Sequence, residues 1–197
     1  PATVETAPTA KTGLEYNGKD QNLVNEGKGS GGTLKYSLEE NGTYSETVPT
    51  GKNAGKYTVW YKVEGDANHS DSEAKSVEVE IGKAPITVNP DDGLGKFYGK
   101  DDPTLTYTKT GYYELPKFTG ALSREQGENV GTYEINLGTL ELADNTESGF
   151  LASNYDLSLN SEKVYFTIHK ADPTYTVPTD ITATYGQTLK DVELPEG

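Results

Sequence analysis

Asn53-Ala54-Gly55-Lys56-Tyr57-Thr58-Val59-Trp60-Tyr61-Lys62-Val63 is the stretch that decides the fold. An Asn/Gly turn signal runs straight into β-branched and aromatic residues. On a pleated strand Tyr57, Val59 and Tyr61 share one face, and Thr58, Trp60 and Lys62 share the other. The pattern returns as Asn129-Val130-Gly131-Thr132-Tyr133-Glu134-Ile135-Asn136-Leu137, again N-x-G-x-Y followed by alternation. Tyr57 and Tyr133 are therefore expected to be equivalent core positions, each two residues after a Gly.

Two further markers recur with this strand. Lys75-Ser76-Val77-Glu78-Val79-Glu80-Ile81 alternates strictly and runs into Gly82-Lys83-Ala84-Pro85; residues 164–168 run into His169-Lys170-Ala171-Asp172-Pro173. Tyr16-Asn17-Gly18-Lys19, Tyr98-Gly99-Lys100 and Tyr185-Gly186-Gln187 each sit early in a unit. Regular recurrence of such words predicts a tandem array rather than one large domain. The expected units are residues 1–84, residues 85–171 and the start of a third in residues 172–197. The fold class is all-β: two tandem small antiparallel β domains. The first is expected to be a sandwich, and the second a sandwich or a β-grasp-like sheet. No window sustains an apolar period of 3.6 residues, so almost no helix is expected beyond one turn in the charged residues 124–128. Residues 27–32 read as a flexible Gly/Ser loop, and 132–142 as one long strand. The tail from 172 has too few apolar residues to offset its own ordering, so its order should depend on pairing with a neighbour.

The chain has 197 residues, of which 32% are hydrophobic, against about 45–50% in ordinary domains. That supports thin cores and short strands joined by tight turns. Net charge is −14, and it is spread out. Residues 1–84 carry 9 basic against 13 acidic side chains, residues 85–171 carry 7 against 13, and residues 172–197 carry 1 against 5. No clustered basic footprint exists, so nucleic acid is not an expected partner. There is no Cys, which removes disulfides, thiolate catalysis and Cys-based metal sites. There is no Met either, and the chain is expected to be part of a longer one. No apolar run is long enough to cross a membrane as a helix.

The residues that carry chemistry do not form a recognisable site. His69 lies in Asp66-Ala67-Asn68-His69-Ser70-Asp71, without the ligand spacing of an EF-hand. Asp91-Asp92 and Asp101-Asp102 flank Phe97-Tyr98, but Asp-Gly and Asp-Pro are ordinary turn chemistry. Glu39-Glu40, Glu125 and Glu128 are the carboxylates from which a glycosidase pair would have to come, and nothing sets an acid against a base. His69 and His169 fall in different units, and no nucleophile elbow accompanies them. Trp60, Tyr61, Tyr112 and Tyr113 are the aromatic candidates for sugar stacking or partner contact. One of Trp60 and Tyr61 must point inward and the other outward. Tyr112-Tyr113 follows a Gly in a loop and is the better exposed patch. The expectation is no enzyme, no catalytic residues, no cofactor and no metal.

Residues 86–171 resemble the mostly-β, glycine-rich (MBG) repeats of bacterial surface proteins. The resemblance is carried by Phe97-Tyr98-Gly99-Lys100-Asp101-Asp102-Pro103-Thr104-Leu105-Thr106-Tyr107, Phe118-Thr119-Gly120-Ala121-Leu122-Ser123-Arg124-Glu125, Glu128-Asn129-Val130-Gly131-Thr132-Tyr133 and Ser153-Asn154-Tyr155. Residues 142–153 depart from it by lengthening the last connection. The first unit resembles bacterial immunoglobulin-like repeats of Gram-positive surface proteins, through Gly13-Leu14-Glu15-Tyr16-Asn17-Gly18-Lys19, Gly31-Gly32-Thr33-Leu34-Lys35-Tyr36-Ser37 and the opening stretch. These resemblances imply an extracellular, wall-associated protein whose modules act as spacer or adhesive stalk. They imply neighbouring repeats of the same chain as partners, with carbohydrate or host protein as the alternative ligand, and a monomer. Some surface β domains also carry Lys–Asn isopeptide bonds, and the sequence does not place the required groups together.

Overall fold

The computed structural model describes residues 1–175, 182–188 and 190. Most of the expected third unit therefore lies outside the described residues. Within the described part of that segment, Tyr175 and Tyr185 are exposed.

The decisive stretch is the strand Gly55–Gly65. It sits inside a four-stranded sheet, ordered Leu14–Glu15, Lys75–Gly82, Gly55–Gly65 and Gly32–Ser37. Val59, Tyr61 and Val63 are buried on one face, while Thr58, Trp60 and Lys62 are half-buried on the other. Three two-stranded ribbons lie alongside in sequence: Thr3–Thr6 with Lys28–Ser30, Thr9–Ala10 with Val24–Asn25, and Gln21–Asn22 with Thr50–Gly51. Val4, Ala10, Leu23 and Val24 from these ribbons join the sheet's inward face in one apolar cluster.

The second four-stranded sheet repeats the first. Its order is Gly95–Phe97, Tyr165–His169, Gly131–Asn136 and Ser123–Arg124. In both sheets the early strand runs parallel to the closing strand, and the closing strand is antiparallel to the N-x-G-x-Y strand. Register fixes the equivalences. Gly55 opposes Ile81 as Gly131 opposes Ile168, and Tyr57 opposes Val79 as Tyr133 opposes Phe166. Leu14 opposes Ile81 as Lys96 opposes Ile168. The Tyr16 amide donates to Gly82 O at 2.8 Å, and the Tyr98 amide donates to His169 O at 2.8 Å. Across from this sheet lies a three-stranded one, Tyr107–Thr110, Ala84–Pro90 and Tyr155–Leu159. Val88, Tyr107, Leu157 and Leu159 meet Ile135, Phe166 and Ile168 between the two.

The repeated tyrosines are equivalent, but they are half-buried rather than fully enclosed. The Tyr57 hydroxyl donates to Asn53 O at 2.7 Å, and the Tyr133 hydroxyl donates to Asn129 O at 2.7 Å. Each ring therefore closes over its own turn and keeps an edge in water. Gly51 lies under Tyr57 and Gly127 under Tyr133; a Cβ at either position would run into the ring.

Several expectations change. The domains are not purely antiparallel, because three strand pairs are parallel. Each is a non-local pairing, and its direction is set by topology rather than by side-chain alternation. Residues 132–142 are not one strand: Gly131–Asn136 ends, Gly138 turns the chain with φ +57, and Glu141–Ala143 pairs instead with Lys117–Thr119. Residues 124–128 form no helical turn. Arg124 lies in a strand, and the only helical element among the described residues is the 3-10 turn Ala152–Asn154. Residues 27–32 are not a loose loop either. Lys28–Ser30 and Gly32–Ser37 are strands on either side of Gly31, whose φ of +76 makes the turn.

Among the described residues no strand pair joins residues 1–82 to residues 84–169. The side chains do cross. Ala84, Ile86, Phe150 and Tyr155 belong to the same buried cluster as Tyr16, Val59 and Ile81. One cluster thus runs from the first sheet into the second set of strands, and a second fills the space within the C-terminal strands.

Candidate functional site

Two side-chain constellations stand out, and neither contains the aromatic or carboxylate pairs singled out from sequence as a unit.

The first is the joint between the two sets of strands. Tyr16 is 1% exposed. Its hydroxyl donates to Glu114 Oε1 at 2.7 Å, and the Tyr155 hydroxyl donates to Glu114 Oε2 at 2.6 Å. One carboxylate thus clamps a phenol from each side, with short charge-assisted hydrogen bonds. Tyr16 packs edge-on against Tyr155 at 5.2 Å and Tyr113 at 6.0 Å, and Tyr155 stacks on fully buried Phe150 at 4.7 Å. A few residues away Asn154, 1% exposed, accepts from the Ala54 amide at 2.9 Å and donates to Asn53 Oδ1 at 3.2 Å. Asn53 and Ala54 open the N-x-G-x-Y strand. The sequence supplies this geometry locally. The 3-10 turn Ala152–Asn154 presents Asn154, and the bridge between Asn145 and Phe150 folds residues 145–150 so that Phe150 points inward. The lengthened connection at residues 142–153 thus adds Phe150 to the buried cluster and leads into the docking residues Asn154 and Tyr155.

Burial raises the Tyr16 and Tyr155 phenols above the ordinary value, and the adjacent Glu114 adds to it. A raised phenol stabilises the docked state fully below the free phenol value of about 10 and loses that contribution as pH rises through the raised value. The joint is expected to hold at neutral pH and loosen above about pH 10. Titration of the tyrosine Cζ resonances by NMR checks this: Tyr16 and Tyr155 should titrate above the free phenol value of about 10, and titration of both at that value would contradict the docked geometry.

The second constellation is an ionic cluster in the C-terminal strands. Lys96 takes the place that Leu14 holds in the first sheet. Its Nζ lies 2.7 Å from Asp102 Oδ1 and also contacts Glu128. Arg124 grips Asp102 through Nε at 2.6 Å and Nη2 at 3.0 Å, and reaches Glu128 at 2.9 Å. Its guanidinium lies 5.0 Å from the rings of both Tyr133 and Phe166. The Arg124 guanidinium, with help from Lys96, holds the Asp102 carboxyl down at about 2, and the same cations lower Glu128. A general acid needs a raised carboxyl value, and these are lowered. An isopeptide bond needs a neutral amine and a neutral carboxyl; here Lys96 is raised and Asp102 lowered, so the pair stays ionic. The open groove beside it, about 620 Å³, has no aromatic residue in its lining and so no stacking platform for a sugar.

The remaining sequence candidates are scattered. His69 Nδ1 sits 2.7 Å from Asp66 Oδ1 in an exposed turn, and the hydrogen bond lowers Asp66. Among the described residues no group of three or more His, Asp or Glu converges as a metal ligand set. The Asp91 amide donates to Thr106 O at 3.0 Å, one rung beyond the pairing of Ala84–Pro90 with Tyr107–Thr110. Glu39 and Glu40 lie in an exposed turn of the first half, while Glu125 and Glu128 lie in the second. His169 contacts the Phe97 ring at 5.8 Å. Tyr61 points inward and Trp60 is half-buried on the far face. Tyr112 and Tyr113 are exposed, and Tyr113 leans on the joint. Sequence reasoning quoted Asn154 and Tyr155 only as family words and missed Glu114. The signal available was the lengthened connection at 142–153.

Residues 86–167 match the family model of the MBG domain (YGX type), and Tyr98-Gly99-Lys100 reads Y-G-x within it. That family is a repeat of surface proteins. The match leaves residues 1–85 and 168–197 unassigned. No curated protein and no solved structure matches the chain.

Proposed function

We propose that this chain is a pair of consecutive non-catalytic repeats, residues 1–84 and 85–171, forming a spacer in a secreted or wall-anchored bacterial surface protein. The first is an immunoglobulin-like repeat on its motifs, the second an MBG repeat. Residues 172–197 open a third. Neighbouring repeats of the same chain are the partners. The observation that carries this reading is the joint: the nearly fully buried Tyr16, Asn154 and Tyr155, with Glu114, bind one repeat to the next. A spacer has to set the distance and direction of what it carries, and a clamped joint does so where a Gly/Ser linker would not. The ionic cluster serves the same end, since Asp102, Arg124 and Glu128 pin the loops of the second repeat to its sheet.

The second reading is an adhesive module for carbohydrate or host protein, favoured by the exposed Tyr112 and Leu115 beside the joint. A glycan array and a panel of host matrix proteins separate the two. The spacer reading expects no saturable binding. Saturable binding to one glycan, abolished by Tyr112→Ala with the fold intact, would overturn it.

A further inference from the structure

The two four-stranded sheets are equivalent in strand order and register, yet among the described residues only the first has its end covered. In the first sheet that end carries Tyr16, Asn53 and Ala54, all engaged by Glu114, Asn154 and Tyr155 of the following repeat. In the second sheet, the register places Tyr98, Asn129 and Val130 at the same three positions. The backbone is prepared in the same way. The Tyr98 amide is tied to His169 O as that of Tyr16 is to Gly82 O, and Asn129 O is held by the Tyr133 hydroxyl as Asn53 O is by that of Tyr57. A positive-φ glycine follows each tyrosine, Gly18 two residues after Tyr16 with φ +74 and Gly99 one residue after Tyr98 with φ +77. The Lys-Ala pair that leads out of the first repeat, Lys83-Ala84, recurs as Lys170-Ala171.

The difference lies in exposure. Tyr98 is 53% exposed, Val130 48% and the adjoining Phe97 58%, whereas Tyr16 is 1% exposed. Three large apolar side chains at one end of a sheet are costly to leave in water. We infer that Tyr98, Asn129 and Val130 form a docking surface for a further MBG-type repeat entering directly after Lys170, gripped by the Glu114 and Asn154 positions of that repeat. The occupant follows from the equivalence: what covers Tyr16 is the 111–114 loop and the 150–155 turn of an MBG-type repeat, so the same elements fit Tyr98. A second copy of this chain cannot present them, because its own Tyr16 and Asn53 already fill them. The joint is thus a repeated device, and each repeat carries a socket at one end and a plug at the other.

This inference rests on the reading of the chain as tandem repeats. Its test is hydroxyl-radical footprinting of the chain as it stands and of the same chain with a further copy of residues 84–171 placed directly after Lys170. Labelling of Tyr98 is expected to be strong in the first and to fall to the level of Tyr16 in the second, with Val130 falling partway, to the half-buried level of Ala54. Glu114→Ala in the added copy alone is expected to restore Tyr98 labelling while the added copy's own core stays protected. Equal Tyr98 labelling in both chains, with the added copy folded, would overturn the inference. So would loss of Tyr98 labelling in the unextended chain as its concentration rises, which would make the surface a self-association site. Tyr16 serves as the separate control. If Tyr16 stays protected while Tyr98 does not become so, only this inference fails. If Tyr16 is itself labelled, the jointed-spacer reading fails with it.

Discussion

Tyr16→Ala is expected to uncouple the two repeats. The residue is buried between them, and truncating a buried large aromatic costs about 3–5 kcal/mol. The loss falls on the joint in particular, because the ring contacts Tyr155 and Tyr113 and the hydroxyl is one of the two donors to Glu114. The heat denaturation profile of residues 1–84 should separate from that of residues 85–171, with the N-terminal repeat melting first. Tyr16→Phe keeps the ring and removes only a hydrogen bond to a charged group, so about 1.5–3 kcal/mol is expected and the packing should survive. A single transition with an unchanged midpoint in Tyr16→Ala would contradict the joint as described.

Arg124→Ala is the other large effect. It removes the only group that holds Asp102 in a two-point grip, and it empties the space between Tyr133 and Phe166. Breaking a buried charge pair from one side costs about 3–5 kcal/mol, and the lower end applies here because Asp102 and Glu128 retain contact with water and with Lys96. About 3 kcal/mol is roughly 12–24 °C in the melting midpoint of a repeat this size. The sign with pH follows from the lowered Asp102 carboxyl. Its contribution is present above the free Asp value of about 4 and is lost as pH falls toward 2. Wild type should therefore lose stability between pH 4 and 2 more steeply than Arg124→Ala, which keeps only the smaller Lys96 part of that contribution to lose. Parallel acid profiles would show that the cluster contributes nothing of the kind. Lys96 occupies the position of Leu14, so the second repeat has put an ionic cluster where the first has an apolar contact.

Much of the fold was legible because strand alternation and turn chemistry are local. Tyr57, Val59 and Tyr61 were placed on one face by their spacing alone, and the equivalence of Tyr57 with Tyr133 followed from repeated words. What was not legible was non-local. The direction of the pairing of Leu14–Glu15 with Lys75–Gly82 leaves no mark in alternation. The clamp of Glu114 on Tyr16 spans about a hundred residues, and a lone Glu after two tyrosines in a loop carries no pattern. Asn154 was visible only as part of a resemblance, and its role needed the turn Ala152–Asn154 to aim it at Asn53 and Ala54. The strand expected over 132–142 broke because Asn136 and Gly138 outweighed the alternation around them: Asn136 Oδ1 accepts from the Gly138 amide at 3.0 Å and closes the turn.

The central claim is that the two repeats move as one body through the joint. Residual dipolar couplings of backbone amides in weakly aligned chain measure this directly, with couplings taken separately from Gly55–Gly65 with Lys75–Gly82 and from Gly131–Asn136 with Tyr165–His169. The structure predicts one alignment tensor, with the same magnitude and orientation from both sets, and its division into two in Glu114→Ala. Two tensors of different magnitude in the unaltered chain would mean that the repeats tumble independently, and would contradict the claim.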